Sequence, residues 1–191
     1  MADLTTALGC HPDGGNPKKS GVSKADLTIA LAGNPNAGKT TIFNALTGLH
    51  QHTGNWPGKT VEKKEGEFQH AGLTVNVVDL PGTYSLTAYS PEEIIARDFI
   101  IQERPDAVIN VVDATNLERN LYLTVQILEL DVPMVVALNM SDDLNKAGAK
   151  IDAGLLSTLL GGVPIISTAA SQGKGIPELI SKAVHAAGRH S

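Results

Sequence analysis

From residue 27 onward the chain alternates short apolar runs with segments of helical periodicity. Apolar runs occupy 27–32, 73–79, 107–113, 133–139 and 163–168. The first four are rich in Val, Ile and Leu without strict alternation, the pattern of strands covered on both faces. Helices fit between them. Residues 41–46 read as the first turns of one. Pro91 opens another over 92–101, a first-turn proline followed by acidic residues. Leu117, Leu121, Thr124, Val125 and Leu128 share one helical face. A last helix fits 176–187, with Pro177 in its first turn. Residues 61–70 differ: they are charged and alternating, and lead through Ala71-Gly72 into the next strand as an edge hairpin does. The pattern predicts an α/β domain with a mostly parallel sheet, one antiparallel edge strand, and helices on both faces.

Ahead of this pattern, Gly14-Gly15-Asn16-Pro17-Lys18-Lys19-Ser20-Gly21 has linker composition. The expected organisation is a flexible leader over 1–24 and one folded domain over 25–191. Cys10-His11 in the leader is a soft-metal pair at most, since two ligands are too few for a closed site.

Composition narrows the partners. A chain of 191 residues is long enough to bury a core, and 42% hydrophobic with 18% charged residues is ordinary for a globular domain. Its net charge of −5 argues against a general nucleic-acid binder, because phosphate backbones require clustered Lys and Arg. Cys10 is the single cysteine, so no intramolecular disulfide forms and a reducing, cytoplasmic setting fits. No apolar run approaches the roughly 18 residues of a membrane span.

The candidate chemistry sits at the ends of the predicted strands. Gly33-Asn34-Pro35-Asn36-Ala37-Gly38-Lys39-Thr40, followed by Thr41, matches G-x-x-x-x-G-K-[ST] between a strand and a helix. Glycines there let backbone N–H groups turn toward phosphate, and the helix N-terminus adds positive field. Lys39 would reach the β- and γ-phosphates, and the Thr40 hydroxyl would bind magnesium. Asp79-Leu80-Pro81-Gly82 ends the second apolar run. Asp79 can hold magnesium through water, and the Gly82 N–H can sense a γ-phosphate. Asn139-Met140-Ser141-Asp142 ends the fourth. Asp142 can accept from guanine N1–H and the exocyclic amine, donors that adenine lacks there, while Asn139 braces the loop and Met140 offers the base an apolar contact. The loop Ala169-Ala170-Ser171 fits a final base contact, with the Ala170 N–H toward guanine O6. The Gly-, His- and Pro-rich stretch 47–60 should be mobile and able to order around a γ-phosphate, with Thr60 completing the magnesium shell. His50 and His52 form an H-x-H pair in it, open to a metal but without a nearby acidic or cysteine partner. Thr83 follows Gly82, so no glutamine stands there to position water.

These residues, with Gly54-Asn55-Trp56-Pro57-Gly58-Lys59-Thr60-Val61-Glu62 and Val111-Val112-Asp113-Ala114-Thr115-Asn116-Leu117-Glu118-Arg119-Asn120-Leu121, resemble a Ras-like GTPase of the TRAFAC class. The resemblance is closest to the G domain of the FeoB ferrous-iron transporter family. It implies a six-stranded Ras-like P-loop sheet, GTP and GDP as ligands, and hydrolysis of GTP to GDP and phosphate coupled to Fe(II) uptake. It also implies potassium as an activating ion bound by Asn36, with Asn36, Lys39, Thr60 and Gly82 as the catalytic set. The implied partners are the helical and membrane permease domains of a full-length transporter at the bacterial inner membrane, small Feo accessory proteins, and further copies of the chain. Two alternatives share the same loops: a stand-alone regulatory GTPase, and a slow-hydrolysing nucleotide-dependent interaction module. An ATPase or nucleotide kinase is opposed by Asn139 and Asp142.

Overall fold

A computed structural model describes residues 25–87 and 89–188; the leader assigned to 1–24, with Cys10 and His11, lies outside the described residues. One seven-stranded sheet runs in the order β2-β3-β4-β1-β5-β6-β7. Its strands are β1 Leu27–Gly33, β2 Gln51–Asn55, β3 Glu62–His70, β4 Leu73–Asp79, β5 Ala107–Asp113, β6 Met134–Asn139 and β7 Ile165–Ser167. β1 pairs in parallel with β4 and β5, and the parallel ladder continues through β6 to β7. Only β3 runs against its neighbours, pairing antiparallel with both β4 and β2.

Among the described residues five α-helices lie between strands and a sixth follows β7: α1 Lys39–Thr47, α2 Pro91–Asp98, α3 Leu117–Leu128, α4 Ser141–Lys146, α5 Ala153–Leu159 and α6 Ile176–Ala187. α1 and α6 cover one face of the sheet, and α2 and α3 cover the other. That division explains the unbroken apolar runs. In β1, Ile29 and Leu31 point toward Ile42, Phe43 and Leu179, while Ala30 and Ala32 face Ile95, Leu123 and Ile127. Both sets must be apolar because neither face meets water. Phe43 is fully buried, and its truncation to alanine would cost about 3–5 kcal/mol.

The architecture is the expected α/β class with one strand more than expected. Residues 51–55, within the stretch assigned to a mobile loop, form β2 and take the sheet edge that β3 was expected to hold. The pairing is made by backbone groups, Gln51 opposite Gly66 through Asn55 opposite Glu62. Four of the five β2 residues are exposed, so no hydrophobic alternation announces the strand. α4 is equally silent: it has six residues, none buried.

The connection from β1 leads outward to β2, β3 and β4, and β5 returns on the opposite side of β1. The strand order therefore reverses at the C-terminal end of β1. In open α/β sheets this is where a crevice opens for a ligand. The phosphate-loop sequence begins there.

Candidate functional site

The turn from β1 into α1 is shaped by its glycines. Gly38 caps α1 in the left-handed region at φ 90°, and a Cβ there would strike Asn139 Nδ2. At Gly33 a Cβ would meet the Val111 carbonyl oxygen at 2.6 Å. Asn36 also lies in the left-handed region, at φ 66°, which asparagine tolerates better than most residues, and it is exposed. The loop is closed on itself by Ala37 N–H on Asn34 O (3.2 Å) and tied to its surroundings by Thr83 N–H on Gly33 O (3.2 Å). The second bond places Gly82, whose α-carbon side meets Pro35, against the phosphate loop.

Lys39 and Asp79 meet at 2.8 Å, with side chains only 10% and 8% exposed. The lysine expected to reach phosphate and the carboxylate expected to hold magnesium through water thus share one spot, each neutralising the other. Thr40 and Thr41 follow in the first turn of α1 and are exposed. Thr60 is not brought to this group. It is exposed in the turn between β2 and β3, and among the described residues it makes no bond to Thr40 or Asp79. That turn is closed by Trp56 N–H on Val61 O and Lys59 N–H on Trp56 O, both 3.0 Å. It is pinned inward by Trp56, packed edge-on against Phe99 at 5.6 Å between ring centroids.

Asn139 joins three loops. Its Nδ2 donates to Ala37 O (3.0 Å), and its Oδ1 accepts from Thr168 Oγ1 (3.2 Å) and the Ala170 N–H (3.1 Å). The N–H expected to face guanine O6 donates here to Asn139 Oδ1, a buried carbonyl oxygen that needs donors. Ala169 and Ala170 are buried and Ser171 is exposed. The Ser141 hydroxyl donates to Thr168 O at 2.8 Å, which brings Asp142 beside the same loop. Met140 is the left-handed residue before α4, its Cε directed to Gly38. Asp142, with its side chain 19% exposed, accepts from Gln172 Nε2 at 2.7 Å and lies 3.6 Å from Lys146.

The segment after Gly82 is held by residues that belong to none of the nucleotide motifs. Thr83 is buried, and its hydroxyl donates to Ser85 O at 2.6 Å. Glu93 accepts from Ser85 Oγ, the Tyr89 N–H and the Ser90 N–H, while Ser90 Oγ caps Glu93 N–H in return. The Ser85 hydroxyl foremost, then the Tyr89 N–H, hold the Glu93 carboxyl below its ordinary value. Ser90 and Glu93 at S-x-x-E spacing are a capping box legible in the sequence. Arg119 stacks over Tyr84 at 4.0 Å, and its carbonyl accepts from Asn34 Nδ2 at 3.4 Å. Neither contact has a sequence signal.

A cavity of about 590 Å³ lies elsewhere, between Trp56, Lys63, Asn76 and α2. It contains no phosphate-loop residue. An anion cradle built from backbone N–H groups at a helix start is a surface feature and needs no enclosed volume. His50 and His52 belong to no cluster of three or more metal-ligating side chains among the described residues.

Comparison with known proteins agrees with this geometry. The family described as Ferrous iron transport protein B matches residues 27–183. The Fe(2+) transporter FeoB of Salmonella typhimurium is 54% identical over 157 residues, 80% of this chain and 20% of the transporter. The Fe(2+) transport protein A/FeoB fusion protein of Porphyromonas gingivalis is 53% identical over 154 residues, 80% of this chain and 18% of the fusion. The chain thus spans about a fifth of the length of these curated relatives. Among solved structures, the FeoB G-domain from Methanococcus jannaschii is 50% identical with a TM-score of 0.75, covering 84% of this chain and 97% of that one. The cytosolic domain of T. maritima FeoB in a GDP form is 48% identical with a TM-score of 0.81, covering 84% and 63%.

Proposed function

The chain belongs to the ferrous iron transport protein B family, and from that premise we propose that it binds GTP and hydrolyses it to GDP and phosphate as the nucleotide switch of a ferrous-iron transporter. In the full-length protein this domain, 25–191, would stand on the cytoplasmic side, joined to helical and membrane permease domains and open to small accessory proteins. The observation that carries the reading is Asn139. One buried side chain ties the phosphate loop, through Ala37, to the base loop, through Ala170. Phosphate and base sites are thereby fixed at one spacing, and Asp142 beside them selects guanine because adenine presents neither of the two nitrogen donors to its carboxylate.

Lys39 would exchange Asp79 for the β- and γ-phosphates, and the Gly82 N–H would take a γ-phosphate oxygen. Hydrolysis breaks the bond from the γ-phosphorus to the β–γ bridging oxygen as water adds in line from the opposite side. Thr83 does not orient that water, since its hydroxyl is spent on Ser85 O inside the fold. The donor set fits two ions. The Thr40 hydroxyl, and Asp79 through water, are hard oxygen donors suited to magnesium, with Thr60 to join when the β2–β3 turn moves. The exposed Asn36 amide suits potassium. When bound, the cations offset charge that builds on the transferring phosphoryl group.

The test is GTP turnover with magnesium, comparing potassium and sodium at equal ionic strength, with ATP as control. Turnover of GTP alone, raised by potassium, supports the assignment. GTP binding without turnover would move it to an interaction module, a reading that Thr83 favours.

A further inference from the structure

Both groups expected to read the base already have internal partners. The Ala170 N–H is taken by Asn139 Oδ1, and Asp142 Oδ2 is taken by the Gln172 side chain. The second contact is the more informative. A carboxylate only accepts, so the atom at 2.7 Å from Asp142 Oδ2 is the amide nitrogen of Gln172, donating. A planar –NH2 donating to this oxygen reproduces what the exocyclic amine of guanine would present to it. Lys146 Nζ also faces Oδ2, at 3.6 Å, whereas no hydrogen bond to Oδ1 occurs among the described residues.

Gln172 is well placed for such a role. It ends the short helix Ala170–Gln172, which is closed by Gly173 in the left-handed region and by the Ala169–Lys174 bridge. The backbone carrying it is therefore fixed by the same loop that Asn139 grips. Its side chain is exposed and free to swing outward.

We propose that Gln172 is a built-in competitor for the guanine amine and a determinant of purine specificity. This deepens, and rests on, the assignment of Asp142 as the guanine acceptor. Guanine's two nitrogen donors span both carboxylate oxygens, so its amine competes at Oδ2 with the Gln172 amide, which already donates there at 2.7 Å, beside Lys146 at 3.6 Å. Hypoxanthine keeps the N1–H and lacks the amine; it can bond Oδ1 and leave Gln172 in place. Gln172 therefore weakens guanine binding more than hypoxanthine binding, and narrows the preference for GDP over IDP.

The experiment is calorimetric titration of GDP, IDP and ADP, with magnesium, into the unmutated chain, Gln172→Ala and Gln172→Met. Methionine keeps the length of the side chain and removes the donor. Both variants should bind GDP about three- to tenfold more tightly, the equivalent of one hydrogen bond exchanged against water. IDP affinity should stay within about twofold. Unchanged or weaker GDP binding in either variant would overturn the proposal, because a supporting rather than competing Gln172 gives that result. An equal gain for GDP and IDP would overturn it too. The underlying assignment fails in a different way: the unmutated chain would then bind ADP as tightly as GDP.

Discussion

Asn139→Ala tests the central tie of the site. The substitution removes three hydrogen bonds, of 3.0, 3.2 and 3.1 Å, and strands the Ala37 carbonyl, the Thr168 hydroxyl and the Ala170 N–H. These residues are 1%, 0% and 7% exposed, so water does not readily replace the lost partner. A stranded buried group costs about 1–3 kcal/mol. The Thr168 hydroxyl can rotate toward another acceptor, so the lower half of that range applies to it, and the sum is roughly 3–8 kcal/mol. For a domain of this size that is a fall in Tm of roughly 6–32 °C. Circular-dichroism melts of the two proteins without nucleotide give the stability arm. Titration with labelled GTP below the variant's melting range gives the second, where affinity should fall because the phosphate loop and base loop are no longer held at one spacing. Asn139→Asp sharpens the reasoning: it keeps the acceptor for Thr168 and Ala170 but turns a carboxylate oxygen toward Ala37 O. It should be at least as damaging as alanine. A variant Asn139→Ala that melts within about 2 °C of the unmutated chain and binds GTP equally would refute the role given to this residue.

Three further outcomes are expected. Asp142→Asn should weaken GTP binding at least tenfold and favour xanthine nucleotides, since an amide offers one donor and one acceptor where guanine needs two acceptors; competition between GTP and XTP decides it. Asn36→Ala should remove potassium stimulation of turnover while leaving GTP affinity within about threefold, because the side chain is exposed and the backbone cradle stays; retained stimulation would place the ion elsewhere. Glu93 carries a pH dependence. Its folded-state pKa lies below the ordinary 4.5, so its contribution is present above that value and is lost as pH falls below it, through the folded pKa. The Tyr89 and Ser90 amides should lose exchange protection in that acid window, and Glu93→Gln should abolish the change.

The parts of this molecule that can be read from its sequence are those in which burial or backbone geometry dictates residue type. The first four apolar runs are strands covered by helices on two faces, so nearly every position carries the signal. Gly33 and Gly38 mark the phosphate loop because a Cβ at either would strike Val111 or Asn139. β2 is illegible for the opposite reason: it is held by backbone pairing at an exposed edge, and Gln51, His52, Thr53, Gly54 and Asn55 bury almost nothing. A loop rich in Gly and Asn and an edge strand of this kind have the same composition. They differ only in whether a neighbouring strand offers unpaired N–H and C=O groups, and β3 does.

The same distinction separates the motif residues from those beside them. Lys39, Asp79, Asn139 and Asp142 are legible because their spacing to strand ends is fixed by the fold. Gln172 and Arg119 are not, because a polar side chain on an exposed surface is unconstrained until its partner is known in space. Thr60 shows a further limit. Its proposed role belongs to a nucleotide-bound arrangement, whereas the structure has the β2–β3 turn held by Trp56 against Phe99. Trp56 is the buried residue of the stretch 51–60, and its indole N–H has no partner among the described residues. An unpaired buried donor weakens the anchorage by about 1–3 kcal/mol, so this is a grip that a modest ligand energy can release. If Thr60 moves inward as proposed, the bonds it would form with nucleotide and magnesium are of that order or larger, enough for one turn to serve both arrangements.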